Sequence, residues 1–372
     1  MSRARTFADL ATASEGTSLA NRNMIGNGAF NIDQRNTTFT KTGSGGGKVI
    51  ERWREGQSNV GQLSVEVARA TDSPDTFPGS YSLKLQVKTP ESSLAANEDM
   101  TLLTKIEGKD CQRLLYGTSG AKTATLSFWV KSSIAGTFAV GIYQEDGNDN
   151  ISKPYTINSA DTWEHKTITY PGNTMAAIND DNTTGLQIQW YISIGSNSTG
   201  GSNGDVWHEY TANKFAFGHV TNTHITTDES TFQLTGVQFE LGDVATPFEL
   251  LPIAEDLARC QRYFYKFLST DIYGPLGATG MQINTNSTSG TMYQGMHPVT
   301  MRAAPTMAYG GTWTAEVAEG SAAFALTGSV RTSTLFWQSQ EPIPTSGANS
   351  GDAAMVYSNN DNDAFFSGDA EL

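Results

Sequence analysis

The sequence predicts an all-β protein in which a large sandwich or barrel precedes a short helix and a smaller C-terminal β domain. The composition is typical of β proteins: it includes 37 Gly, 13 Tyr and 17 Phe, and only 17% of the residues are charged. Short runs of alternating apolar and polar residues recur between turn-forming residues. Because 372 residues can form two or three domains with their own cores, we expect four segments: 1–23, 24–250, 251–262 and 263–372.

The N-terminal segment carries a helical apolar pattern. Within residues 3–14, Phe7, Leu10, Ala11 and Ser14 stand at helical spacing. Such a short helix is not stable alone in water. It therefore either frays or docks on a partner, and the sequence leaves both outcomes open.

The segment 24–250 contains a series of strand patterns. They lie at 62–69, 80–87, 124–130, 137–143 and 184–194. The clearest run is the last, because alternate positions place its apolar residues on one face. These residues are Leu186, Ile188, Trp190, Ile192 and Ile194. The pair Asp146-Gly147 follows the fourth run and predicts a hairpin turn.

The strand predicted at 231–241 changes its apolar phase in the middle. Phe232 and Leu234 share one phase, whereas Val237 and Phe239 share the other. A β-bulge at Gly236 would return both pairs to the same core, and glycine tolerates the backbone conformation that a bulge needs. We therefore expect a bulge at Gly236.

After Pro247 the pattern becomes helical. Apolar residues follow at i, i+4, i+7 and i+11, namely Ile253, Leu257, Cys260 and Phe264. Pro252 suits the first turn of a helix, where its missing N–H is not needed. We expect a connecting helix at 251–262 whose apolar stripe lies at a domain or subunit contact.

Charge and cysteine usage exclude some functions. The net charge is -14 and the chain has no cluster of Lys and Arg, which argues against nucleic acid as a partner. Cys111 and Cys260 are far apart, so we expect two buried free thiols. The N-terminus lacks the apolar run of a signal peptide and no window reaches membrane-spanning length, so we expect cytoplasmic synthesis and no membrane insertion.

Several segments resemble bacteriophage tail-fibre and related virion proteins. They are spread along the chain in order: 22–35, 125–133, 162–172, 236–264, 298–307 and 368–372. The resemblance implies that 24–250 is a jelly-roll sandwich of the carbohydrate-binding-module type. It also implies that 263–372 is a receptor-binding or fibre-tip domain.

The same resemblance implies a structural virion protein, commonly a homotrimer. Its N-terminal segment, with Phe7, Leu10 and Ala11, would attach the protein to other virion proteins, and the rest would face outward. The helix stripe would then lie near the three-fold axis. Tail fibre, tail appendage and head decoration all remain open as places in the virion.

Polar and aromatic residues on the non-core phase suggest a glycan-binding face. Trp129, Tyr143, Gln187, Gln189 and Tyr191 fall on that phase of three strands. Aromatic rings stack on sugar C–H faces, while amides bond the hydroxyl groups. The alternative is that this face is covered by the N-terminal segment, a loop or a neighbouring subunit.

Trp207, in a glycine-rich region beside His208, is a further candidate for glycan contact, with a purely structural role as its alternative. We expect no cofactor. Acidic turns at 144–150, 179–185 and 359–365 offer oxygen ligands for calcium, but Asp, Asn and Gly form similar turns without a metal.

The sequence therefore favours a non-enzymatic phage virion protein, a trimeric tail fibre or appendage that binds host-surface glycans. Trimeric display would strengthen weak binding through avidity. A capsid decoration or head-fibre protein is one alternative. A glycan-degrading tail spike is another, because two catalytic carboxylates can be brought together by the fold alone.

Overall fold

A computed structural model gives the fold. It describes residues 21–35, 38–200, 204–211, 215–268, 281–283, 291–317, 320–324, 329–341, 353–358, 361 and 363–372. The predicted N-terminal helix, with Phe7, Leu10 and Ala11, lies outside the described residues. None of the helices in the described ranges is long and apolar enough to cross a membrane.

The described residues form mainly strands, which we number in chain order. The strands of the N-terminal part are β1 (Phe39–Thr42), β2 (Gly45–Ile50), β3 (Trp53–Ser58), β4 (Ser64–Ala70), β5 (Ser82–Thr89), β6 (Asp99–Glu107), β7 (Ala124–Ser132), β8 (Gly136–Gln144), β9 (Asp149–Ile157), β10 (Glu164–Tyr170), β11 (Thr184–Ile194), β12 (His208–Glu209) and β13 (Thr231–Leu241). The C-terminal part contains β14 (Phe264–Leu268), β15 (Met281–Ile283), β16 (Thr291–Met296), β17 (Thr306–Gly310), β18 (Trp313–Val317), β19 (Gly320–Phe324), β20 (Ser329–Thr332), β21 (Phe336–Glu341), β22 (Ala353–Ser358) and β23 (Phe365–Asp369). The helices are α1 (Gly108–Cys111) and α2 (Ile253–Gln261), with 3₁₀ turns at Gln112–Leu114, Ser196–Ser198 and His224–Thr226.

Two antiparallel sheets form a sandwich in the N-terminal part. The six-stranded sheet has the order β1-β4-β5-β13-β7-β10, and the seven-stranded sheet has the order β12-β9-β8-β11-β6-β3-β2. The core lies between them because each strand turns its apolar phase inward. Leu186, Ile188, Trp190 and Ile192 are fully buried in this core. Ile194, predicted on the same face, is instead buried in a separate cluster with Ala139 and Tyr191, because the register of β11 against β6 shifts between Tyr191 and Ser193. The hairpin after β8 forms at 145–148. The prediction of an all-β sandwich is confirmed.

The predicted bulge in β13 is also confirmed. The register of β13 against β7 shifts between Thr235 and Gln238, and Gly236 has a φ of +59°. As a result Phe232, Leu234, Val237 and Phe239 are all fully buried in the same core.

The chain divides into two compact units, with the border between Asp256 and Leu257 and with Leu372 grouped with the first. The second unit contains a three-stranded sheet of order β14-β23-β17 and a seven-stranded sheet of order β19-β18-β22-β15-β16-β21-β20. Its described core includes Tyr265, Met301, Trp337 and Phe366. The fold thus contains the predicted sandwich, short helix and C-terminal β structure.

The helix stripe is only partly buried. Cys260 and Phe264 are buried and Leu257 is half-buried, whereas Ile253 is 61% exposed. Ile253 is the first residue of α2 and lies at its exposed end. The buried part of the stripe therefore begins one turn later, at Leu257, than the spacing predicts. The prediction of two buried free thiols is confirmed, and burial raises the pKa of Cys111.

Candidate functional site

The outer face of the seven-stranded sheet carries two rows of side chains that run across its strands. The first row consists of Asn150, Tyr143, Gln187 and Lys105, on β9, β8, β11 and β6. The second row consists of Ser152, Gly141, Gln189, Leu103, Arg54 and Lys48, from β9 to β2. These residues alternate with buried core residues such as Ile142 and Ile188, so the rows face away from the sandwich interior.

A connected series of aromatic rings borders the rows. The Tyr143 and Tyr210 rings are T-shaped with centroids 5.2 Å apart, and the Tyr210 and Phe215 rings are stacked at 5.8 Å. Phe215 in turn lies 5.5 Å from the ring of Tyr191. Tyr210 is 36% exposed, Tyr143 and Phe215 are half-buried and Tyr191 is buried. Tyr143 and Tyr210 therefore present the accessible part of this aromatic series.

Backbone contacts hold Tyr210 and Phe215 against the sheet. The short strand β12 pairs with β9, and the next N–H, of Tyr210, donates to the Asn148 carbonyl at 2.7 Å. The Phe217 N–H donates to Ser152 Oγ at 2.8 Å. The aromatic series is thus positioned by the sheet itself.

The polar side chains of the rows keep hydrogen-bonding capacity. Gln187 Nε2 donates to Gln189 Oε1 at 2.9 Å, and the Tyr143 hydroxyl donates to Asn148 Oδ1 at 3.0 Å. Among the described contacts, the bond between Gln187 and Gln189 is the one that the two glutamine side chains make. Gln187 Oε1 and Gln189 Nε2 can therefore bond a ligand.

The electrostatics of the face combine neutral hydroxyls with charged groups. Burial raises the pKa of both Tyr143 and Tyr210, so their hydroxyls stay protonated at neutral pH. Asp99 begins β6 on the same face, and burial raises its pKa to about 6, although hydrogen bonds from Ser58 oppose this. Lys105 Nζ lies 3.9 Å from Glu145 Oε2.

The structure brings together some of the residues that the sequence suggested. Tyr143, Gln187 and Gln189 are neighbours in the first two rows on β8 and β11. Tyr191 shares their face, but the Phe215 ring covers it and leaves it only 4% exposed. Gly141 allows this arrangement, because a Cβ there would lie 2.9 Å from the Tyr191 hydroxyl.

Trp129 and Trp207 do not share this face. Trp129 is on the outer face of the six-stranded sheet, where its ring lies 5.1 Å from that of His165. Alternation separates inner from outer positions but does not say to which sheet a strand belongs. Trp207 is buried, and its Nε1 donates to the Pro171 carbonyl at 2.7 Å while its ring packs on Tyr116.

Tyr210 and Phe215 could not be identified from sequence patterns. They lie around a two-residue strand in a stretch with no apolar alternation, so no periodic pattern marks them. Only the richness of this stretch in aromatic residues could have drawn attention to it.

The acidic turns are held by hydrogen bonds within the protein. Asp146 accepts bonds from the Asn179 N–H at 3.0 Å and from its side-chain amide at 2.6 Å. Asp361 accepts from the Thr312 N–H at 2.7 Å. Across the described ranges, no group of three or more His, Cys, Asp or Glu residues is arranged to hold a metal ion.

No protein-family model matches this chain, and no curated protein matches it either. Among solved structures, it is similar to the enzymatically active domain of tailspike protein 4 from bacteriophage CBA120, with 14% identity and a TM-score of 0.34. That match covers 59% of this chain and spans 21% of the tailspike domain.

Other matched structures are carbohydrate-binding modules. The module TmCBM61, solved in complex with β-1,4-galactotriose, is 11% identical with a TM-score of 0.29, and the match covers 60% of this chain and 100% of the module. A family 11 module from Clostridium thermocellum is 12% identical with a TM-score of 0.27, at 56% and 98% coverage. At these identities and TM-scores the likenesses say nothing about what this chain binds.

Proposed function

We propose that this protein is a non-enzymatic component of a phage virion that binds host-surface glycans. The binding site would be the outer face of the seven-stranded sheet. The observation that carries this proposal is the adjacency of the accessible Tyr143 and Tyr210 rings to the Gln187 and Gln189 amides on one face.

This arrangement suits a sugar chain. The rings offer apolar surface for the C–H faces of a sugar, and the amides offer a donor and an acceptor for its hydroxyl groups. Adjacent strands are about 4.8 Å apart, so the rows can meet successive sugars of a chain that crosses the strands. Glycoside hydrolysis uses two carboxylates, one on each side of the scissile bond. The two rows that would contact the sugar chain contain amide and cationic side chains instead of carboxylates.

The proposed location in a phage virion is supported by the resemblance of segments such as 22–35 and 236–264 to phage virion proteins. We further propose a homotrimeric tail fibre or appendage, attached to other virion proteins by its N-terminal segment. Three weak sites displayed together would bind a repetitive surface much more tightly than one.

The test is binding of the purified protein to an array of bacterial surface oligosaccharides, compared between the native chain and single variants. Tyr143→Ala and Tyr210→Ala should each weaken binding about 5- to 30-fold, because each removes a stacking ring worth about 1–2 kcal/mol. Trp129→Ala is the matched control, since it removes an aromatic ring from the opposite sheet.

Circular dichroism and urea denaturation should first show that each variant is folded. If the two tyrosine variants retained native affinity while folded, the proposed face would be wrong. Release of reducing ends from a bound polysaccharide would instead show a glycan-degrading activity.

A further inference from the structure

Two glutamine side chains at the centre of the rows form a bonded pair. Gln187 and Gln189 stand two positions apart on β11, and both are half-buried on the outer face. Gln187 Nε2 donates to Gln189 Oε1 at 2.9 Å. Since a primary amide carries one acceptor oxygen and two N–H donors, the pair keeps an acceptor, Gln187 Oε1, at one end and a donor, Gln189 Nε2, at the other.

The spacing of this acceptor and this donor suits a ligand group that has both functions. Standard amide dimensions and the bond of 2.9 Å place Gln187 Oε1 and Gln189 Nε2 roughly 6–7 Å apart. One hydroxyl group, with hydrogen bonds of about 2.8 Å, does not reach both. A secondary amide does, because its N–H and C=O point in opposite directions. Two neighbouring hydroxyl groups also reach both, so the flanking side chains decide between these ligands.

The side chains that flank the pair are apolar and lie on opposite sides of β11. Tyr143 on β8 is directly opposite Gln187, and Leu103 on β6 is directly opposite Gln189. Both are half-buried, so each keeps apolar surface in contact with water. Covering this surface with an apolar part of the ligand is favourable. A group that joins an amide to a methyl group therefore fits better than two hydroxyl groups.

The charged side chain next to the pair is already matched. Lys105 lies opposite Gln187 on β6, and its Nζ is 3.9 Å from Glu145 Oε2. The Tyr143 hydroxyl stays protonated, because burial raises its pKa. The surroundings of the glutamine pair thus favour a neutral ligand group.

We propose that the glycan bound on this face contains an N-acetylated amino sugar, whose acetamido group bonds the glutamine pair. This inference rests on the proposed glycan function and names its substrate class. The acetamido N–H donates to Gln187 Oε1, and Gln189 Nε2 donates to the acetamido carbonyl oxygen. The sugar ring stacks on Tyr143, and the methyl group packs on Leu103.

The trans geometry of the acetamido group accounts for the positions of the two apolar side chains. In a trans amide, the carbon bonded to nitrogen and the carbon bonded to the carbonyl lie on opposite sides of the C–N bond. With the N–H toward Gln187 and the C=O toward Gln189 along β11, one side faces β8 and the other faces β6. The sugar ring is then directed to Tyr143 and the methyl group to Leu103.

The experiment uses bacterial surface oligosaccharides that contain N-acetylglucosamine or N-acetylgalactosamine. Each is compared with a counterpart that has a hydroxyl group in place of the acetamido group and with its de-N-acetylated amine. Isothermal titration calorimetry measures the affinities of the full chain. The acetamido member should bind about tenfold more tightly than either counterpart, because it adds a hydrogen bond and buries a methyl group.

Gln189→Glu tests the role of the pair. It replaces the donor with an acceptor of the same shape and keeps an oxygen for the Gln187 N–H, so the ratio of acetamido to hydroxyl affinity should fall below about threefold. Leu103→Ala should lower the same ratio about threefold, since it removes the contact of the methyl group.

Gln62→Glu is the matched control. It makes the same substitution at an exposed side chain just before β4 of the six-stranded sheet, where Gln62 Nε2 donates to the Pro90 carbonyl at 2.8 Å. It should keep the native ratio. Urea denaturation should first show that all three variants are folded.

The outcomes separate the two proposals. Equal affinities for the acetamido and hydroxyl members, or a native ratio in folded Gln189→Glu, would overturn the N-acetyl inference and leave the glycan function intact. Binding of oligosaccharides without any acetamido sugar in preference to those with one would do the same. If the native chain bound no member of any set, both proposals would fail.

Discussion

At the scale of single residues, the sandwich core contains ionisable groups that make its stability depend on pH. Glu55 on β3 faces inward and is 1% exposed. Burial raises its pKa to about 8, against smaller lowering effects of the Gln57 amide and the Lys41 ammonium. His219 and His224 are also buried, and burial lowers their pKa to about 4 and about 3.

The first prediction concerns Glu55→Gln. A pKa of about 8 in the folded state and 4.5 in the unfolded chain means that the contribution of Glu55 is fully present below pH 4.5 and is lost as pH rises toward 8. The variant should therefore be more stable than the native chain at pH 7 by about 1–3 kcal/mol. Urea denaturation at pH 5, 6, 7 and 8 checks this.

Glu66→Gln on the outer face of β4 is the control, and it should follow the native pH profile. If the Glu55 and Glu66 variants lost stability equally between pH 5 and 8, Glu55 would not be the group responsible.

The second prediction concerns His219. Its Nδ1 accepts the Ala139 N–H at 3.2 Å, and its Nε2 donates to Asn222 Oδ1 at 2.9 Å, so the ring is neutral. Because its folded pKa of about 4 is below the usual histidine pKa of 6.5, its stabilising contribution is fully present above pH 6.5 and is lost as pH falls toward 4.

The loss attributable to His219 should reach about 3 kcal/mol near pH 4. Urea denaturation from pH 7 to 4 in a Glu55→Gln background measures it, since the opposing effect of Glu55 is then absent. Adding His219→Gln should reduce the slope between pH 6.5 and 4.5 by about half, because His224, with a folded pKa of about 3, titrates over the same range. An unchanged slope in the double variant would contradict the assignment.

At the scale of elements, the N-terminal stretch 22–35 stabilises the bulge of β13. Asn23 Nδ2 donates to the Val237 carbonyl at 3.0 Å, and Asn23 Oδ1 accepts the Phe239 N–H at 3.1 Å. The Val237 N–H donates to the Gly28 carbonyl at 2.9 Å. The backbone groups that the bulge leaves without ladder partners are thereby satisfied.

The third prediction is that Gly28→Ala destabilises the protein by about 2 kcal/mol or more, because overpacking against rigid backbone is costly. A Cβ at Gly28 would lie 2.1 Å from the Val237 carbonyl oxygen, so the two segments would have to separate. The free energy of unfolding in urea measures the effect.

Gly61→Ala is the matched control, since the nearest atom to a Cβ there is Glu91 Oε1 at 3.8 Å. It should change the free energy of unfolding by less than about 0.5 kcal/mol. If the two substitutions changed the free energy of unfolding equally, the close approach of Gly28 to the Val237 carbonyl would not be the cause of the destabilisation.

At the scale of the whole molecule, the fourth prediction is the oligomeric state. A homotrimer of this 40.0 kDa chain should give a mass of about 120 kDa by light scattering. It should also bind a glycan-coated surface far more tightly than a free oligosaccharide in solution. A mass of 40.0 kDa at working concentration would contradict the trimer and its avidity.

The proposed virion function also predicts where the protein lies on a phage particle. Cryo-electron microscopy of the particle should place the protein on the tail if it is a fibre or appendage. Density on the capsid would instead support the head-fibre alternative.

The sequence by itself determined the inward faces of the strands with clear alternation, namely β4, β5, β7, β8, β11 and β13. Period-two alternation identified the core residues of β11, and the change of phase at Gly236 identified the bulge, because both depend only on neighbouring residues along a strand. Sequence also placed Tyr143, Gln187 and Gln189 on outward positions.

Only the tertiary structure decided which outward residues meet. Strand order places Trp129 on one sheet and Tyr143 on the other, although both follow the same alternation. The packing of Tyr210 and Phe215 on the sheet is a long-range contact without a local pattern. Alternation is a property of one strand, whereas a binding face is a property of several strands in register.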